Sequence, residues 1–220
     1  QLTSLYNNFS MTKSKMELFH AELAIGIAIT LQALVSSKLT LGPKFTMIIL
    51  EIILAVGLLL VNLSTHTLTR HLRQFLAYVF ISVVTIANIS SLVLVSHDLV
   101  LGTTLPGKTL LFTAVSIFLT NIIMFGLWYW EIDSPGLTGH FKEDAKAHFL
   151  FPQMEMKHII SEWRPTFFDY LYVSVTNASA FSPTDVLPLT HRVKALMGTQ
   201  SVVSLLTVAL VTARAVNILS

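Results

Sequence analysis

Residues Asp169–Asn217 read DYLYVSVTNASAFSPTDVLPLTHRVKALMGTQSVVSLLTVALVTARAVN, and the placement of this stretch decides the fold. The mostly uncharged run Phe168–Ser179 predicts a short helix, Ser182, Pro183, Thr184 and Asp185 form a polar turn, and a long apolar helix follows from Ala195 to about Ala213. Half a helix, a polar turn and a full-length apolar helix are the pattern of a re-entrant segment. A bilayer admits non-helical backbone at depth only where protein or a water-filled cavity covers it. The alternative is an ordinary surface loop. Within the long helix Gly198, Ser201, Ser204 and Thr207 recur every three residues, a spacing that permits close helix approach or lines a wet path.

The rest of the chain supplies a membrane setting for this stretch. Of 220 residues 53% are hydrophobic and only 12% charged, with mean hydropathy +0.69. A soluble domain carries about 25% charge, so an all-α, polytopic membrane helix bundle is the class that fits, with the lipid bilayer as its first partner. A net charge of +2, with basic residues spread over the loops, provides no face for nucleic acid. The absence of cysteine removes disulfides, thiolate metal sites and thiol nucleophiles together.

Four further apolar runs precede the decisive stretch. They are Leu23–Ser37, which is short and is expected to begin earlier, then Phe45–Leu63, Phe75–Ser96 and Thr109–Trp130. Gly42-Pro43 and Pro106-Gly107 punctuate them, and Trp128-Tyr129-Trp130 is an aromatic cluster suited to the headgroup boundary. The expected organisation is a polar lead-in over 1–22, a four-helix transmembrane bundle over 23–130, an extramembranous connection over 131–165, and a re-entrant hairpin plus last helix over 166–220. That gives five transmembrane helices. Their lengths and polar placements differ, so an inverted-repeat carrier has little support.

Among the polar residues inside the apolar runs are Glu51, Asn88 and Asn121. Glu51 is the most costly, because a carboxylate at the centre of a membrane helix costs about 3 kcal/mol on insertion scales. It is expected to face the bundle interior, either as a proton or cation site or as a protonated carboxyl bonded to Asn, Ser or Thr on a neighbouring helix. Asn88, with Ser90 and Ser91, is expected to join helices by hydrogen bonds. In the connection, His140, Glu143, Asp144 and His148 fall at helical spacing, but interleaved Lys142 and Lys146 favour a solvated mixed-charge helix over a metal site. No metal, cofactor or catalytic residue is assigned, since nucleophile-elbow, phosphate-loop and metalloprotease patterns are all missing.

At Thr176, Ser179, Ala180, Ser182-Pro183-Thr184, Asp185 and Pro188-Leu189-Thr190 the chain resembles the pore loop and inner helix of tetrameric potassium channels. The resemblance covers about a quarter of the chain. It implies that Thr176 and Ser179 lead into a filter-like segment at Ser182, Pro183 and Thr184, and that Asp185 takes the acidic position after it. It further implies a last helix lined by Ser201, Ser204 and Thr207, a homotetramer, and monovalent cations as permeant species. A glycine filter motif is missing, since no glycine lies between Gly139 and Gly198. Alternate filter residues need backbone angles that a Cβ makes costly, so potassium-type carbonyl coordination does not follow. Through its LTLGP, FGLWYW, HFLFPQM, DYLYVS and FSPTD segments the chain is also similar to uncharacterised bacterial multi-pass membrane proteins described as channel-like.

Orientation stays open. An N-terminus in the cytoplasm places Lys13, Lys15, Arg70, Arg73, Lys142, Lys146, Lys157, Arg164, Arg192 and Lys194 inside, against Lys38, Lys44, Lys108 and Arg214 outside. The channel resemblance puts a pore loop on the outer side instead. The functional readings are an oligomeric pore-loop channel in the plasma membrane, a non-conducting membrane module in which Asp185 caps the turn or pairs with Arg192, and a proton-coupled carrier using Glu51.

Overall fold

The computed structural model describes residues 2–35, 37–40, 42–62, 69–101, 106–133, 147–156, 163–180 and 185–219. The chain forms α1 (Leu2–Leu34), a 3-10 turn (Ser37–Leu39), α2 (Lys44–Asn62), α3 (Thr69–Leu101), α4 (Gly107–Asp133), β1 (Phe149–Leu150), α5 (Pro152–Glu155), α6 (Phe167–Ala180), β2 (Leu187–Pro188) and α7 (His191–Leu219). Residues 2–22, expected as a separate lead-in, continue directly into the first apolar helix. Four stretches are long and apolar enough to cross a membrane: Met16–Leu34, Leu72–Leu99, Gly107–Asp133 and His191–Ala213. Phe45–Leu60 is a shorter apolar helix. The chain is a multi-pass integral membrane protein. Its outward face agrees, carrying Phe45, Phe75, Ile86 and Phe112, each more than 60% exposed, where lipid tails can cover them.

Local chemistry sets the helix ends. Gly42 takes φ +76°, and the backbone N–H groups of Thr46 and Thr109 donate to the carbonyls of Pro43 and Pro106, so each proline stands where the amide it lacks is not needed. At α6 the Thr166 N–H and hydroxyl both reach Asp169 Oδ2, at 2.7 Å, a capping arrangement in which the third helical residue satisfies the residue before the helix.

α4 is the central helix. Of its apolar window 61% is buried, against 39% in α3 and 28% in each of α1 and α7. Two apolar cores stack along it. One joins its C-terminal half (Met124, Phe125, Leu127, Tyr129, Trp130) to Ala21–Ala28 of α1, Leu58 of α2, Phe80 and Ile81 of α3, and Tyr170 of α6. The other joins its N-terminal half (Leu110, Ile117) to Val35, Leu39, Leu92, Val95 and Val203. Sharing of the same two cores fixes the directions of α1, α3 and α7, which run one way, and of α4, which runs the other; α2 starts just after Leu39 of the second core and reaches the first at Leu58, so it runs with α4.

Candidate functional site: the α6–α7 hairpin

α6 runs antiparallel to α4 and close to it. A Cβ built on Gly126 would lie 3.3 Å from the Leu171 Cα and 3.3 Å from its Cδ1, so glycine is what lets the two backbones approach.

Polar side chains join α4, α6 and α7 at mid-depth. The Gln200 side chain uses its whole hydrogen-bonding capacity: Nε2 donates to the Ser174 carbonyl (3.0 Å) and Oγ (2.7 Å), while Oε1 accepts from Tyr129 Oη (2.5 Å) and Asn177 Nδ2 (2.8 Å). Asn177 Nδ2 also donates to the Met197 carbonyl at 3.0 Å, and Asn177 Oδ1 accepts from Ser201 Oγ at 3.2 Å. Ser174 Oγ in turn donates to the Ile122 carbonyl at 2.6 Å. Ser174, Asn177, Tyr129 and Gln200 are all buried. Where lipid cannot supply a partner, such a set is stable only if its members satisfy one another.

A clasp closes the same end of all three helices. Asp133, the last residue of α4, accepts from the His148 and Phe149 N–H groups through Oδ1 and from Tyr170 Oη through Oδ2, the last at 2.6 Å. β1 then pairs antiparallel with β2, Phe149 opposite Pro188 and Leu150 opposite Leu187. The Leu189 N–H donates to the His148 carbonyl at 2.8 Å, and the His148 ring lies 2.7 Å from Thr190 Oγ1. Aromatic edges pack beneath: Phe149 against Tyr129 at 5.3 Å and Phe151 against Tyr170 at 5.3 Å. The start of α6 and the strand that follows it are therefore both held at the C-terminal end of α4.

The sequence-predicted residues divide sharply. Thr176 is half-buried and Ser179 exposed, and each hydroxyl bonds within α6: Thr176 Oγ1 to the carbonyls of Tyr172 and Val173, Ser179 Oγ to that of Val175. Ser182, Pro183 and Thr184 lie outside the described residues, as do His140, Glu143 and Asp144. Asp185 is exposed, and no ion pair joins it to Arg192 among the described residues. Ser201 is half-buried on Asn177. Ser204 and Thr207, expected on a lining face, are fully buried: Asn121 Nδ2 donates to Ser204 Oγ at 2.9 Å and Thr207 Oγ1 to the Val203 carbonyl at 2.7 Å. Ser204 faces the bundle interior, where Asn121 of α4 offers a polar partner that lipid does not, and the Thr207 hydroxyl is satisfied within α7 itself. The open face of α7 carries Gly198, Thr199, Val202, Leu205 and Leu206 instead.

Asn88 is buried and donates to the Ile117 carbonyl at 3.0 Å, the helix-joining role expected of it. Glu51 is 1% exposed, and neither of its carboxyl oxygens has a hydrogen-bond partner among the described residues. Among the described residues no three His, Asp or Glu side chains converge as a metal site. The sequence alone assigned no site role to Tyr129, Asp133, Ser174, Asn177 or Gln200. Their available signals were Gln200, an amide inside an apolar run, and the three-residue step from Ser174 to Asn177.

Comparison with known proteins gives no match, whether by family model, curated sequence or solved structure.

Proposed function

We propose that the chain is one protomer of an oligomeric pore in the cell membrane, with α6 and the segment after it as a re-entrant hairpin before the last of five crossings. A single observation carries this reading: α6 is short, and the chain on both sides of it is tied to the same end of α4. Its 14 residues span about 21 Å at 1.5 Å per residue, too little for a hydrocarbon layer of about 30 Å. Tyr170 bonds to Asp133, and Leu187–Leu189 pair with the segment that Asp133 also holds. A helix that goes in and a chain that returns to its starting level need no second crossing. α2, with 19 residues, reaches about 28 Å and supplies the fifth crossing.

The resemblance to potassium-channel pore loops extends the reading to a homotetramer passing monovalent cations. Asp185, exposed where the chain returns, is the group that meets them. A ring of carboxylates attracts cations without a carbonyl filter, which suits a segment free of glycine. The exposed α6 and α7 faces, with Phe168, Tyr172, Val202 and Leu205, are the surface that neighbouring protomers cover.

The protein is expected to run as a tetramer in mild detergent and to conduct in planar bilayers, with Asp185→Asn lowering cation-over-anion permeability. Monomers throughout, or a permeability ratio untouched by Asp185→Asn, contradict it. A second reading, the hairpin as a non-conducting packed module, is favoured by one observation: the hydroxyls of Thr176, Ser179, Ser204 and Thr207 are all engaged within the protomer. A tetramer that carries no current selects this reading.

A further inference from the structure

α2 turns Ile49, Ile52, Ile53 and Leu60 outward and Glu51 inward. Its carboxyl group is almost completely removed from solvent, and neither oxygen meets a donor among the described residues. A carboxylate so removed from solvent, with no counter-charge beside it among the described residues, carries a desolvation cost that the neutral acid does not. One and two helical turns further along the same face, Ala55 and Leu58 line an apolar groove of about 260 Å³ between α2 and α1. On the α1 side it is formed by Ile25, Gly26 and Ile29, with Glu22 at the end away from Glu51. Gly26 leaves this groove open, since nothing lies within 4 Å of where its Cβ would stand.

We propose that Glu51 is a proton-binding site in the membrane interior, a carboxylic acid that keeps its proton within the bundle and is approached along the α1–α2 groove. The site lies on different helices from the hairpin and does not rest on the pore reading. Its ligand is the proton, and its chemical signature is reactivity toward apolar carbodiimides. In that reaction the acid adds across one C=N bond: the carboxyl oxygen bonds to the central carbon, the proton passes to nitrogen, and nothing leaves. The O-acylisourea so formed rearranges to a stable N-acylurea.

The full-length protein in lipid vesicles at neutral pH provides the test. Infrared difference spectra of wild type against Glu51→Gln should contain the C=O stretch of a protonated carboxylic acid. A difference made only of carboxylate bands overturns the proposal. Dicyclohexylcarbodiimide should label Glu51 about tenfold faster than a water-soluble carbodiimide, as a neutral acid outside water's reach requires. Gly26→Leu, which fills the groove, should slow that labelling several-fold and leave the infrared band in place. Equal labelling of the Glu51→Gln variant overturns Glu51 as the site, and labelling unaffected by Gly26→Leu overturns the groove as the approach.

Discussion

The two sides of the bundle treat buried polarity differently, although Thr120 Oγ1 and Trp130 Nε1 of α4 also lack a partner among the described residues. Between α4, α6 and α7 the amides and hydroxyls of Asn121, Tyr129, Ser174, Asn177, Gln200 and Ser204 are matched to one another or to backbone carbonyls. Between α1 and α2 an apolar groove stands open, and a carboxyl group lies nearby with no partner among the described residues. The first side is specified: a hydrogen-bonded set in a lipid-facing bundle has one arrangement that satisfies it, and that arrangement fixes how far α6 descends along α4. The second shows only apolar contact among the described residues, which tolerates sliding and leaves room in the groove. Under the proposed pore reading, a fixed α6 beside a looser outer seam is how a pore element and its periphery would divide the work.

Removing Gln200 is the most severe way to break this contrast. Gln200→Leu strands Tyr129 Oη and part of the hydrogen bonding of Asn177 and Ser174, and at about 1 kcal/mol for each stranded group the loss is about 3 kcal/mol. Thermal unfolding in detergent should show it, and a variant as stable as wild type would mean that the network is not what holds α6. Asp133→Ala opens the clasp. Two backbone N–H groups and Tyr170 Oη lose their acceptor, at a cost of about 1–2 kcal/mol, and amide exchange should rise at Phe149 and Leu189 ahead of the core of α4.

The same substitution made in the two seams should have opposite signs. Gly126→Ala pushes against the Leu171 backbone and should cost about 1 kcal/mol, while Gly26→Ala adds a methyl to open space within a helix and should gain about 0.5 kcal/mol. Equal effects would erase the distinction between the seams. Smallest of all, Glu51→Gln should leave stability within about 0.5 kcal/mol, because it exchanges one neutral group for another of the same shape. A large loss would mean that Glu51 is charged and paired.

The helices were legible in the sequence because lipid imposes long apolar runs. The third, fourth and last helices match the expected spans with a few extra residues at each end, and Pro43, Pro106 and Pro165 mark three of the starts. Ser174 and Asn177 share a face of α6 by their three-residue step, and Gln200, Ser201 and Ser204 share one of α7, so each half of the network was visible. Their meeting was not, because it depends on how deep α6 sits beside α7. The clasp left still less signal: β1 and β2 are two residues each, too short for alternation to register. The three-residue step from Ser204 to Thr207 is legible, but the inward turn of Ser204 is set by Asn121 on α4, a partner that helical spacing within α7 cannot reveal.

The hairpin is tested most directly by labelling the two ends of the α6 segment in this cysteine-free chain. Arg164→Cys and Asp185→Cys, both at exposed positions, are reconstituted separately in sealed vesicles and treated with a membrane-impermeant maleimide from one side at a time. The re-entrant account predicts that both react from the same side. Reaction from opposite sides would make α6 part of a full crossing and contradict it.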